Sequence, residues 1–252
     1  MEKIIDFPVM ILAVSFISLL LSALAGGVLR KRWRRLQEDE LGDFGIIQAA
    51  TLTLLGLLIG FTFSMAISRY DQRKIYEEEE ANAIGTEYVR ADVLPAADST
   101  RMRELLRKYL DERVRFYNAR DSQILRQINI STAQLQNEMW YAVQSRAVAQ
   151  PTAVTALAVS GMNDVLNSQG YTQAAWWNRI PFEAWVLLTA IAIGCNLLIG
   201  YGTRRSSMLL TVVPLAVSLS FFLIADIDSP RGGVIRVEPQ NLISLSQSLQ
   251  AH

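Results

Sequence analysis

Four long segments with almost no charged side chains constrain the fold of this chain more than any other feature. They cover residues 8–29, 44–67, 182–202 and 207–225 of the 252 residues. A helix needs about 20 residues to cross a hydrocarbon core of about 30 Å, so each segment is long enough to span a membrane. Acidic residues before the first segment and basic residues after it favour a retained span over a cleaved secretory signal.

The distribution of polar residues divides the chain into four parts. Residues 1–67 hold the first pair of spans, 68–180 an extramembrane region, 181–225 the second pair and 226–252 a tail. The extramembrane region has helical spacing of its apolar residues. The predicted fold class is therefore all-α, an integral membrane protein with four transmembrane helices in two pairs and a helical extramembrane domain between them.

Local signals predict the helices of the central region. Apolar residues at helical spacing predict an amphipathic helix over 100–127. Ser131 and Gln134 form a capping pattern for a next helix at about 132–149. Pro151 suits the first turn of another helix, which "NSQGY" is expected to end. The absence of proline from 60–80 predicts that the second span continues into this region as one helix.

Composition excludes several function classes. Cys195 is the only cysteine and His252 the only histidine, so an internal disulfide, Ser-His or Cys-His catalysis and His-ligated zinc lack their parts. The formal net charge is zero, which gives no bulk field for binding nucleic acid. The sequence therefore predicts a protein that is not an enzyme, with no cofactor and no nucleic-acid partner.

Basic residues in the two short loops predict the orientation of the chain. Short cytoplasmic loops carry an excess of Lys and Arg. This rule places both loops in the cytoplasm and the central domain outside the cytoplasm. The residues concerned are Arg30, Lys31, Arg32, Arg34, Arg35, Arg204 and Arg205.

The second span carries small residues every fourth position, at Gly56, Gly60, Ser64 and Ser68. Such residues let membrane helices approach closely, either within one subunit or between subunits around an axis. In the first span, Ser18, Ser22 and Gly26 repeat the pattern.

A second set of span-two residues is a candidate for a hydrophobic neck. Leu57, Phe61 and Met65 lie about 100° around the helix from the small-residue face, and Phe63 lies nearby. They face either a central pore, which a hydrophobic constriction can gate, or lipid and neighbouring helices.

Acidic residues near the membrane boundaries are the remaining candidates. Glu80 and Glu87 belong to a glutamate-rich helix start, and Asp226 and Asp228 follow the last span. Each carboxylate is either solvated and locally paired, or part of a pore mouth or an oxygen-ligand cation site. Asp226 and Asp228, together with Arg231, also suggest a fixed electrostatic link at the end of the span.

Several segments together resemble the bacterial bestrophin-like membrane protein family. They are "GFTFSMAISRYDQRK", "EEANAIG", "RADVLP" and "ADIDSPRGGVIRV". The resemblance implies a relation to bestrophins, which are pentameric anion channels whose second span lines the pore and whose central domain is cytoplasmic. A long acidic calcium clasp after the last span is absent here, so calcium gating is not carried over.

These observations favour an oligomeric ion channel lined by the second span, which conducts small anions such as chloride across the bilayer. A pentamer is expected if the assembly is bestrophin-like. The alternative is a non-conducting scaffold or sensor, whose helical domain binds a partner or ligand while the spans anchor it.

Overall fold

The computed structural model describes residues 7–32, 40–203 and 208–250, and every regular element in these ranges is a helix. Arg34, Arg35, Arg204 and Arg205 of the basic loops lie outside the described residues, as does His252. The α-helices are α1 (Pro8–Arg32), α2 (Glu40–Arg90), α3 (Ala96–Asn118), α4 (Ser122–Ala149), α5 (Ala153–Trp177), α6 (Phe182–Gly202), α7 (Leu209–Asp228) and α8 (Gln240–Gln250), with a 3-10 turn at Ala91–Val93.

Four helical stretches in the described chain are long and apolar enough to cross a membrane. They are Pro8–Arg32, Glu40–Val93, Ala153–Gly202 and Leu210–Asp228. The first three contain the first three segments predicted from the sequence, and the fourth covers all but the first three residues of the segment 207–225. The second predicted span continues without a break to Arg90, as the absence of proline indicated.

Several predicted helix boundaries in the central region are wrong, including the place of Pro151, which precedes α5 instead of lying in its first turn. The first helix ends at Asn118 rather than at 127, because the Asp121 carboxylate accepts hydrogen bonds from the backbone N–H groups of Gln123 (2.7 Å) and Ile124 (3.0 Å) and starts α4 there. The predicted cap at Ser131 therefore lies inside α4.

Another error concerns the end of α5. A reciprocal capping box between Thr152 and Thr155 starts this helix, and it continues through "NSQGY" to Trp177. The ring of Tyr171 stacks on Tyr76 with centroids 5.9 Å apart, and Thr172 is fully buried. These packing contacts outweigh the local helix-breaking tendency of the segment.

The chain forms two compact units. The span unit comprises Met1–Tyr70 and Arg179–Arg236, and the polar unit comprises Asp71–Asn178 and Val237–His252. Helix α2 contributes to both units.

In the span unit, α1 packs against α6 and α7 around a continuous apolar core. The rings of Trp185 and Phe221 meet edge to face, with centroids 6.0 Å apart. Other core side chains are Leu19, Leu55, Ala66, Leu188 and Ile224.

Small residues allow α1 and α6 to approach closely. A Cβ atom added at Gly26 would collide with the Leu197 carbonyl oxygen, and one added at Gly200 would collide with that of Ala23. The Ser22 hydroxyl donates a hydrogen bond to the Ile193 carbonyl over 2.7 Å. The small-residue pattern of the first span is thus used inside one chain at Ser22 and Gly26.

In the polar unit, α3 packs against α4 and α8, and α4 packs against α5. Leu242 and Leu249 of α8 are buried, so the tail docks on its own unit. The core contains Met102, Leu106, Leu110, Ile128, Met139, Met162 and Val165.

The close contact between α1 and α6 gives the first testable prediction. We expect Gly200→Ala to lower the free energy of unfolding by about 2 kcal/mol, since the backbone it would strike can yield only if the helices separate. The control is Gly194→Ala on the same helix, where an added Cβ meets nothing within 4 Å. Thermal unfolding in detergent measures the effect, and equal stability of the two variants would contradict this account of the packing.

Candidate functional site

One face of the α2 span is not covered by other described parts of the chain. The buried side of this span is formed by Leu55, Thr62 and Ala66. The opposite side is exposed and contains Gly56, Leu57, Gly60, Phe61, Ser64, Met65 and Ser68.

Nothing in the described part of the chain packs on the small-residue face of α2. A Cβ atom added at Gly56 or Gly60 would meet nothing within 4 Å, and Ser64 and Ser68 are exposed. Within the described residues these positions take no part in packing inside one subunit, and contact between subunits stays a prediction. The same kind of residue serves close packing in α1 and stays uncovered in α2.

The structure separates the four neck candidates. Phe61 is 62% exposed, Leu57 53% and Met65 42%, and all three lie on the uncovered side. Phe63 is half-buried and packs against the core of the span unit. Phe63 thus lies on another side of the helix from Phe61, because two residues along a helix correspond to a rotation of about 200°.

In the polar unit, the buried face of α2 is charged. Arg73, Glu77, Glu80 and Glu87 recur at spacings of three, four and seven residues, and all are at most 2% exposed. We call these four residues the charged seam. Charged side chains are seldom buried without partners, so the partner of each one matters.

Glu77 caps the tail helix. Its carboxylate accepts hydrogen bonds from the Leu242 backbone N–H (2.9 Å) and from the Asn241 side-chain amide (2.6 Å). A negative charge thereby lies at the N-terminus of α8, where its interaction with the helix dipole is stabilising. Asn241, in the first turn of α8, thus contacts the residue that caps its own helix.

Glu80 forms a fully buried ion pair with Arg113 of α3. The Thr172 hydroxyl donates to the same carboxylate over 3.1 Å. Burial disfavours the charged guanidinium, but Glu80 outweighs this and raises the pKa of Arg113 above its usual value. The Arg113 guanidinium also lies 4.4 Å from the centroid of the Phe116 ring. The pore-mouth prediction for Glu80 is wrong, because the side chain is enclosed and neutralised.

Glu87 is buried without such compensation. Its side chain is 0% exposed, and neither oxygen has a hydrogen-bond partner among the described residues. The nearest cation is the Arg90 guanidinium, 3.9 Å away. Burial raises the pKa of Glu87 to about 7, Arg90 lowers it, and Asp164 raises it further. This carboxyl is therefore poised to exchange a proton near neutral pH.

Asp226 holds the turn that follows α7. Its two oxygens accept hydrogen bonds from the backbone N–H groups of Val234 and Ile235, each over 2.8 Å. Gly233 is required in this turn, because a Cβ atom there would collide with the Asp226 carbonyl oxygen.

Asp228 joins three parts of the span unit. Both of its oxygens lie 3.2 Å from the Ile180 backbone nitrogen, and the carboxylate lies 3.7 Å from Arg69 and 3.5 Å from Arg179. Asp226 and Asp228 are both buried. Both carboxylates are thus paired inside the span unit, which is one of the two alternatives considered for them.

The sequence analysis missed three of the buried charges. Arg73 and Glu77 share the helical spacing of Glu80 and Glu87, so the spacing itself could have identified them. Arg113 lies on the apolar stripe of α3 between Tyr109 and Phe116, which is a signal of burial. In the described ranges, no group of three or more His, Cys, Asp or Glu side chains could hold a metal ion.

Sequence comparison matches the Bestrophin-like domain over residues 10–242 of this chain. The chain belongs to the bestrophin-like family. No curated protein matches this bestrophin-like chain by sequence.

Solved structures share the fold over nearly the full length. A bacterial bestrophin homolog from Klebsiella pneumoniae with a leucine-to-threonine mutation aligns with a TM-score of 0.65 at 13% identity, covering 97% of this chain and 98% of that one. The same homolog phased with zinc also gives 0.65 at 13% identity, covering 96% and 97%. A structure described as a membrane protein gives 0.64 at 12% identity, covering 95% and 97%. These similarities show the fold.

The charged seam gives the second testable prediction. We expect Glu80→Gln to lower the free energy of unfolding by about 3 kcal/mol, because the buried Arg113 loses its counter-charge. Glu79→Gln is the control, since Glu79 is exposed one residue earlier on the same helix. Circular dichroism during thermal unfolding compares the two variants. A Glu80→Gln variant as stable as the control would show that the pair contributes nothing.

Proposed function

We propose that the chain forms a ring-shaped homo-oligomer whose α2 helices line an ion pore through the bacterial inner membrane. The uncovered face of α2 is the observation that carries this proposal. In the single chain, only 6% of the residues in the 18-residue apolar stretch of α2 are buried, against 22%, 33% and 44% in the corresponding stretches of the other three spans. A helix this poorly covered by its own chain suits a position where other copies and a pore surround it.

The two parts of the uncovered face have different proposed roles. Gly56, Gly60 and Ser64 would contact the neighbouring subunit, since small residues allow close approach in lipid. Leu57, Phe61 and Met65 would face the axis and form a hydrophobic neck, which gates ions by excluding water. We assign Phe63 no role in the neck.

The proposal includes the arrangement of the chain in the membrane. Two pairs of spans, 1–67 and 181–225, would enclose an extramembrane helical domain at 68–180, followed by the tail at 226–252. The basic loops support a central domain outside the cytoplasm, whereas the bestrophin resemblance supports a cytoplasmic one. A topology reporter fused after Pro151 distinguishes the two placements.

Reconstitution into liposomes tests conduction. Under a gradient of potassium chloride, for which the reversal potentials of chloride and potassium have opposite signs, we expect ion flux with a reversal potential close to that of chloride, as the resemblance to anion channels suggests. A reversal potential close to that of potassium would replace anion with cation selectivity. Flux no greater than in protein-free liposomes, from intact oligomers over a broad pH range, would contradict the channel and favour the scaffold or sensor.

Substitution in the proposed neck tests which side of α2 faces the pore. We expect Phe61→Ala to increase the leak of ions severalfold, because a shorter side chain widens the constriction and lowers its dewetting barrier. The control is Leu24→Ala on α1, where an apolar side chain of similar exposure (50%) is removed. Equal single-channel currents in wild type and Phe61→Ala would remove Phe61 from the neck.

A further inference from the structure

Glu87 is the one carboxyl group of the charged seam that receives no hydrogen bond from the described chain. Glu77 receives two donors from the start of α8, and Glu80 receives Arg113 and Thr172. Glu87 instead lies against Gly161 of α5, where an added Cβ atom would collide with its Oε2 atom and with the Arg90 guanidinium. The missing side chain at Gly161 provides the space that the carboxyl occupies.

The charged groups around Glu87 act in opposite directions. On α2, Arg90 lies 3.9 Å away, too far for a hydrogen bond. On α5, Asp164 is exposed and adds repulsion to a carboxylate. On α3, Arg103 and Arg107 lie over the ring of Tyr88. Helix α8 carries no charged residue.

An ionised carboxylate in this place would be poorly stabilised. A buried charge needs a partner and hydrogen-bond donors, and without them the neutral form is favoured. The neutral acid also fits without a counter-charge. Separation of α2 from α5 at Gly161 would expose the carboxyl to water, where the ionised form costs little.

We propose that Glu87 is a proton-operated latch of the polar unit. Below neutral pH it keeps its proton while α2 and α5 are in contact at Gly161, and it releases that proton to solvent when the contact opens. The latch belongs to the polar unit alone, so it does not depend on whether the protein conducts ions.

The direction of the pH effect follows from proton linkage. In the closed contact the pKa of Glu87 is about 7, above its ordinary value of 4.5, so the closed state binds more protons than the open state. The closed state therefore loses stability as pH rises from about 4.5 to about 7, and its stability is constant above that range. Raising the pH from acidic to neutral therefore favours opening.

Hydrogen exchange of the whole protein in detergent measures this opening. After correction for intrinsic exchange, we expect the open population at the α5 segment around Gly161 to rise roughly 70-fold from about pH 5 to about pH 8 in the wild type. Glu87→Gln should abolish the rise, because the glutamine amide does not ionise in this pH range. Glu79→Gln, an exposed control on the same helix, should leave it unchanged. A rise of equal size in Glu87→Gln and wild type would overturn the proposal.

Infrared titration provides a second measurement if Glu87→Gln fails to fold. We expect the wild type to lose a protonated carboxylic acid band with a midpoint near pH 7. Asp164→Asn should move this midpoint down, since a repelling charge is removed, and Arg90→Gln should move it up. Absence of a band titrating near neutral pH, or midpoints that ignore both substitutions, would contradict the latch.

Discussion

Three glutamates and one arginine lie on the buried face of α2, and the polar unit is arranged around the cost of enclosing them. A buried carboxylate needs a counter-charge or several donors, or it takes up a proton. The start of α8 supplies donors to Glu77, and α3 supplies Arg113 to Glu80. The positions of two helices in this unit are thus linked to two carboxylates. Glu87 has no such partner, and we propose that it takes up a proton instead.

The span unit meets a different constraint, because apolar side chains gain no hydrophobic free energy by moving from lipid into a helix contact. Helices must then associate by close packing, and small residues make that possible. Helices α1 and α6 use Gly26 and Gly200 in this way. The same pattern on α2, at Gly56 and Gly60, is left uncovered by the described part of the chain, so it is available for contact with other copies.

The four spans and the unbroken α2 could be predicted, because length, apolarity and the absence of proline are local properties. The boundaries of α3 to α5 depend on particular contacts, so the Asp121 cap and the burial of Thr172 overrode the local signals. Glu80 and Glu87 were identified as special, but burial and pairing could not be read without their partners. Arg113 is 33 positions from Glu80. The exposure of Gly56 likewise depends on tertiary packing, because α1 packs against α6 and α7.

The most direct measurement of the central claim is a structure of the assembled protein in lipid nanodiscs by electron cryomicroscopy. We expect a closed ring in which the small-residue face of α2 contacts the next copy and Phe61 points toward the axis. A monomer, or an assembly in which this face of α2 contacts only lipid, would contradict the account.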